Sequence, residues 1–168
     1  MDLFTESAHV GATFSPCRTW RYGLWRIWQR NTSYCLFLML NPSTATEYAD
    51  DPTVAKCQRY ARRWGYGGIY VCNLFAFRAT DPRDMKHADD PIGPENNQFI
   101  VSKAVAADMG MIICAWGNHG THLDRAAHVR DLLQRNGVPL HCLKQNANGE
   151  PAHPLYLKES LRPIPYEI

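Results

Sequence analysis

The chain has 168 residues, with 45% hydrophobic and 20% charged residues, which is the length and composition of one globular domain and excludes a disordered or fibrous protein. The formal net charge of +2 excludes a global field that would advertise nucleic acid, but leaves a local basic patch open. No basic-apolar-small leader opens the chain and no apolar run approaches the ~20 residues of a membrane span, so a soluble, cytoplasmic protein without membrane contact is expected.

Residues 1–17 carry no clear period and are expected to be partly loose. From Arg18 to Gln29, Trp20, Tyr22, Leu24, Trp25 and Trp28 give imperfect alternation, read as one or two strands at a sheet edge. Tyr34–Leu40 is a continuous apolar run and the first predicted parallel strand, ended by Asn41-Pro42 because proline cannot extend a ladder. A helix is predicted at about Thr53–Trp64, where Val54, Cys57, Ala61 and Trp64 share one face and Lys56, Arg59, Arg62 and Arg63 share the other. Gly65 stops it, and a second strand runs from Ile69 towards Asn73.

Residues 76–93 form a long connection of the kind that is functional or mobile. Pro94 and Glu95 open a helix to about Ala107, with Phe99, Ile100, Ala104 and Ala107 inward. Met111–Ala115 is a third strand, a helix over about Thr121–Asn136 turns Ala126, Val129 and Leu133 inward, and Val138–Leu143 is a fourth strand. The Pro-rich stretch 144–168 reads as an extended strap. Cys35, Cys72, Cys114 and Cys142 sit inside apolar runs and no C-x-x-C pair occurs, so reduced core thiols are expected rather than disulfides. The pattern predicts a single α/β domain over 1–168: a three-layer α/β/α sandwich on a mostly parallel sheet of about four strands, plus N-terminal edge strands.

Each predicted strand is followed at once by a polar cluster, and open parallel sheets bind ligands beyond their strand carboxyl ends. Asn41-Pro42-Ser43-Thr44 offers an amide that can orient a water, two hydroxyls and backbone N–H groups, or equally an Asx turn. Asn73 sits at the end of an apolar strand, where its amide can read a base edge or brace a loop. Phe75 and Phe77 follow as candidate stacking rings, and Arg78 as an anion clamp or a salt-bridge partner of Asp81 or Asp84. Trp116-Gly117-Asn118-His119-Gly120 permits close backbone approach before a helix. His153, with Tyr156 on the same loop, can donate to a developing anion or decorate the surface.

Asp50 and Asp51 read as a helix start, with a carboxylate pair for a metal or a base as the alternative. His119, His122 and His128 have no second cluster with zinc-ligand spacing and read as solvated or capping residues, so no metal and no cofactor is expected. Neither G-x-G-x-x-G nor G-x-x-x-x-G-K-S/T occurs. The basic helix face of Lys56, Arg59, Arg62 and Arg63 is a solvated face or, with Arg18, Arg21, Arg26 and Arg30 and the interleaved tryptophans, a phosphate-backbone contact.

Several of these stretches, taken in order, resemble a known family. They are Met39 to Ala45, Asp51-Pro52-Thr53, Trp64 to Gly68, Asn73 to Ala76 with Arg78 to Pro82, Ile92 to Asn96, Ala115-Trp116-Gly117 and Gly149 to Leu157. Over roughly 18–157 the chain is similar to the bacterial and phage family known as domain of unknown function 1643, which carries no established activity. More distantly it resembles uracil-DNA glycosylase-like proteins. Asn41-Pro42 is similar to a Gly-x-Asn-Pro-Gly motif whose Asn positions the hydrolytic water, although Met39 and Ser43 replace its glycines. Asn73 matches a base-reading Asn, and His153-Pro154 a His-Pro-Ser motif in which Leu155 replaces the Ser.

The resemblance implies a uracil-DNA glycosylase-like fold. It also implies a hydrolase of the N-glycosidic bond of a nucleobase, in DNA or a nucleotide, with Asn41 and His153 catalytic. Pro42, Ser43, Thr44, Asn73, Phe75, Phe77, Arg78, Trp116, Gly117, Asn118 and Tyr156 would bind substrate, and the basic face nucleic acid. The alternatives are a non-catalytic nucleotide- or DNA-binding module, as in phage–host conflict, and a metal-dependent hydrolase built on Asp50, Asp51 and the histidines.

Overall fold

The computed structural model describes residues 10–167. The strands are β1 (Val10–Phe14), β2 (Arg21–Ile27), β3 (Tyr34–Met39), β4 (Gly68–Asn73), β5 (Met109–Cys114), β6 (His141–Cys142) and β7 (Ile164–Pro165). The helices are α1 (Pro52–Arg63), α2 (Pro82–Lys86), α3 (Asn96–Ala104) and α4 (Arg125–Arg135), with a 3-10 stretch at Asn118–Asp124. All seven strands form one mixed sheet in the order β1-β2-β4-β3-β5-β6-β7. β4, β3, β5 and β6 are mutually parallel; β1 and β2 extend one end antiparallel, and β7 the other.

Right-handed crossovers explain where the helices lie. The connection from β3 to β4 runs one way along the sheet and those from β4 to β5 and β5 to β6 run the other, so their helices fall on opposite faces. Every residue of β3 is buried, and the pleat deals them alternately to two cores. Leu36, Leu38 and Leu40 pack with Ile100 and Ala104 of α3 and with Ala126, Val129 and Leu133 of α4. Cys35, Phe37 and Met39 pack with Val54, Cys57, Tyr60 and Ala61 of α1. The expected α/β class and the inward faces of α1 and α4 therefore hold. All six cysteines are free thiols, five of them buried and Cys17 exposed. Among the described residues no helix is long and apolar enough to cross a membrane.

Several boundaries differ from expectation. Residues 10–14 form β1 rather than a loose segment, while 1–9 lie outside the described residues. The long connection 76–93 contains α2, capped by the Asp81 carboxylate on the Arg83 N–H (2.9 Å). α3 starts two residues after Pro94 and ends before Ala107, which is exposed. α4 starts at Arg125 because Leu123 and Asp124 take positive φ (55° and 52°) and break the turn ahead of it. The fourth strand shrinks to His141–Cys142, since Pro139 donates no N–H, and the strap returns as β7 to pair with it.

Candidate functional site

The strand order reverses between β3 and β5, and their carboxyl ends with that of β4 open onto a cavity of about 480 Å³. That volume is within the roughly 300–1,000 Å³ range of small-molecule pockets. Met39 of β3 sits opposite Asn73 of β4, and Leu38 opposite Cys114 of β5, so the residues just beyond each strand share one rim. Of the residues singled out from sequence, Asn41, Ser43, Asn73, Trp116, Gly117, Asn118 and His153 all line the cavity.

The loops after β3 and β4 are tied to each other. Ala79 N–H donates to Pro42 O (3.0 Å), and Asn41 Nδ2 donates to Ala79 O (2.7 Å) and Pro42 O (3.1 Å). Two carbonyl acceptors fix the amide's orientation, because only its NH₂ can face them. Asn41 Oδ1 is thus the group this side chain has left to offer.

Asn73 is 1% exposed, and its Nδ2 has no hydrogen-bond partner among the described residues. Its backbone is held firmly: Asn96 Nδ2 donates to Asn73 O (2.9 Å) and Leu74 O (3.0 Å), and Arg125 Nε donates to Leu74 O (2.7 Å). An unmatched buried amide costs about 1–3 kcal/mol, which a ligand carbonyl would recover.

The loop after β5 depends on two glycines. Gly117 has φ 74° and lines the cavity, a backbone position that disfavours any side chain, while its N–H donates to Pro151 O (2.8 Å). A Cβ at Gly120 would stand 2.2 Å from the Trp116 ring. Trp116 is buried, with Nε1 donating to Glu150 Oε2 (2.6 Å), so it forms wall rather than a mobile stacking lid. Asn146 Nδ2 braces the rim through Asn118 Oδ1 (2.8 Å).

His153 is exposed at the rim, yet the surrounding protein desolvates it enough to lower its pKa, against the opposing charge of Asp51. Its Nδ1 accepts the Leu155 N–H (3.3 Å), which places the proton of the neutral ring on Nε2. His119 is set the same way, because Lys86 Nζ can only donate to its Nδ1 (2.9 Å).

Other expected site residues lie elsewhere. Phe75 is fully buried in the α3–α4 core against His122 (5.6 Å between centroids) and cannot stack on a ligand. Phe77 packs at the edge of the same core, and Arg78 covers the Phe14 ring (4.7 Å). Pro42, Thr44 and Tyr156 are not in the cavity lining; Pro42 is buried and Tyr156 is 93% exposed.

The basic face of α1 is largely spent within the protein. Lys56 is buried with Nζ donating to Leu155 O (3.1 Å) and Leu157 O, Arg59 pairs with Glu159 (2.6 Å), and Arg62 covers the Trp28 ring (4.0 Å). Arg63 is exposed beside the strap. Asp50 is engaged by Arg26 (2.8 Å) and Gln58 (2.7 Å), and among the described residues no three His, Cys, Asp or Glu group closely enough to hold a metal.

Sequence reasoning missed Arg21, Thr53, Thr80 and Asn146 as lining residues and favoured a purely capping role for Asp51. Asp51 does cap α1, its Oδ1 accepting the Val54 N–H (2.8 Å), but it also lines the cavity. Arg21 arrives because β2 runs antiparallel to β4, with Leu24 opposite Val71, which brings the start of β2 to the carboxyl end of β4. Only the polarity of β2 would have revealed it.

A family model described as Protein of unknown function (DUF1643) matches residues 21–155. No curated protein and no solved structure matches the chain. The matched stretch runs from Arg21 to Leu155 and includes every residue that lines the cavity, so the chain belongs to the DUF1643 family of proteins of unknown function.

Proposed function

We propose that this cavity binds a nucleobase and hydrolyses its N-glycosidic bond, on a three-layer scaffold of the uracil-DNA glycosylase-like kind. The observation that carries this reading is the convergence of Asn41, Asn73 and His153 on one cavity from three distant stretches of chain. Asn73 offers an unmatched amide to a base edge, where donor and acceptor are both useful. Asn41 Oδ1 orients the attacking water, and the Asp51 carboxylate on the same lining supplies a second acceptor for its protons. His153, neutral and protonated at Nε2, donates to the oxygen of the departing base as negative charge develops there. Phe75, buried in the core, does not stack on the base; Met39, Val71 and Trp116 supply the apolar walls instead.

The test is chromatographic detection of free base after incubation with uracil-containing, mismatched and hypermodified DNA and with free nucleotides. Base release is expected from at least one substrate, falling about 100-fold or more in Asn41→Ala and in His153→Ala. Release from none of them, or release unchanged in Asn41→Ala, would overturn the reading.

A further inference from the structure

Two arginines of β2 are almost equally buried, and only one is satisfied. Arg26, 5% exposed, pairs with Asp50 (2.8 Å) and donates to Trp25 O (2.9 Å) and Thr46 O (2.6 Å). Arg21, 2% exposed, donates Nη1 to Ala45 O (2.8 Å), has an unpartnered Nε, and forms no ion pair among the described residues. Burial lowers its pKa to about 10, with Asp51 opposing, so it stays charged at neutral pH. Asp51 acts on it only from beyond ion-pair distance, and a buried cation without a directly paired anion is costly. Unlike Arg125, which is also incompletely bonded, Arg21 lines the cavity.

A second feature points to the same place. The 12-residue helix α1 begins on the cavity lining, with Asp51, Thr53 and Val54 contributing. Asp51 caps Val54 through its side chain (2.8 Å) and Ala55 through its carbonyl (3.0 Å), and Pro52 has no N–H. Thr53 is left with an amide and a hydroxyl that the cap does not use, at the positive end of the helix dipole. The Asp51 carboxylate at this end opposes a second negative charge there and already answers part of the dipole, so the principal contact for an anion is Arg21.

We infer that the cavity has an anion subsite built from Arg21 and the first turn of α1, and that its ligand is a free nucleoside monophosphate whose phosphate occupies it. This rests on the base-binding reading of the same cavity. The free nucleotide is favoured over a DNA strand because, of the α1 residues that would track a polymer backbone, Lys56, Arg59 and Arg62 are engaged by the strap and by Trp28, which leaves Arg63 alone.

The experiment is calorimetric titration of the full chain with the deoxynucleoside 5′-monophosphates, the matching nucleosides and a short single-stranded oligonucleotide, together with competition by inorganic phosphate at constant ionic strength. At least one monophosphate is expected to bind about tenfold or more tightly than its nucleoside. Phosphate should compete where chloride does not, and Arg21→Gln should erase the advantage while leaving nucleoside affinity in place. If Arg21→Gln does not fold, the competition on the unaltered chain decides. Equal affinity for nucleoside and monophosphate, no monophosphate binding, or tighter binding of the oligonucleotide than of every monophosphate would overturn the inference. The two readings fail separately. Nucleosides bound with no phosphate advantage sink the subsite alone, whereas inorganic phosphate bound through Arg21 without nucleoside binding sinks base recognition and leaves the subsite standing.

Discussion

Two regions of this molecule bring polar side chains onto buried surface, and they are finished differently. Along the seam between α1 and the C-terminal strap, the buried donors are answered. Lys56 holds Leu155 O and Leu157 O, Tyr60 OH donates to Lys158 O (2.7 Å), Trp64 Nε1 to Leu161 O (3.1 Å), and Arg59 pairs with Glu159. At the carboxyl ends of β3, β4 and β5 and the start of β2, Asn73 Nδ2 and Arg21 Nε are left without partners among the described residues, beside open space. Natural proteins satisfy nearly all buried polar groups; of the six unpartnered buried side-chain atoms among the described residues, these two belong to residues that line the cavity, where a ligand could answer them. The seam is closed on itself, and the cavity holds the open donors on which the proposed binding depends.

Substitutions should therefore separate the two regions by the sign of their effect on stability. The largest loss is expected for Lys56→Met, which keeps the aliphatic stem but orphans two strap carbonyls. It should cost about 2 kcal/mol, or about 4–8 °C in Tm for a chain of this size. Limited proteolysis should then cut within 154–163 sooner than in the unaltered protein, and an unchanged digestion pattern would mean the strap is held by Leu157 and Leu161 packing alone. Tyr60→Phe removes one neutral hydrogen bond from the same seam and should cost about 1 kcal/mol in denaturant unfolding.

Asn73→Leu reverses the expectation. It removes an unmatched amide in favour of an apolar group of similar size, so stability should stay within about 1 kcal/mol of the starting value or rise. Nucleobase binding should disappear. A loss of stability matching that of Lys56→Met would show that the Asn73 amide braces the fold and would erase the contrast between the regions.

How much of this was legible in the chain follows from which interactions are local. Val54, Cys57 and Ala61 repeat at helical spacing and Asp51 stands at a cap position, so α1 and its inward face could be read directly. The placing of Asn41 and Asn73 also followed from a local rule, since they stand at the carboxyl ends of the parallel strands β3 and β4, whereas His153 lies well beyond β6 on the returning strap. What could not be read depends on pairing across the chain. β1 is short and carries Gly11 and Ala12, a weak strand pattern that makes sense only because a side chain at Gly11 would meet the Trp25 ring (2.3 Å). Phe75 looked like a stacking ring, but its N–H continues the ladder to Leu40 O (2.9 Å) and the ring goes to the core. Lys56 looked solvated because its partners lie about 100 positions further along the chain.

The smallest effect expected is also the one that probes the cavity without a ligand. Desolvation holds the His153 pKa below its ordinary 6.5, with Asp51 pulling the other way, so in the folded state the ring gives up its proton more readily than in the unfolded chain. The unfolded state therefore binds more protons through this range, and stability rises with pH across it. The contribution is complete above about pH 6.5 and is lost as pH falls through the folded value. His122, lowered chiefly by burial and further by Lys86 and His87, adds a slope of the same sign. His153→Gln should flatten part of the decline in denaturant midpoint between about pH 7 and pH 5, and only part, because the ring is exposed at the rim. Asp51→Asn removes a nearby charge that favours the imidazolium, so the His153 ring resonances followed by NMR should titrate at lower pH than in the unaltered protein. An unmoved titration would place the carboxylate too far from the imidazole to act on the same ligand, and the shared chemistry assigned to this rim would have to be divided between two sites.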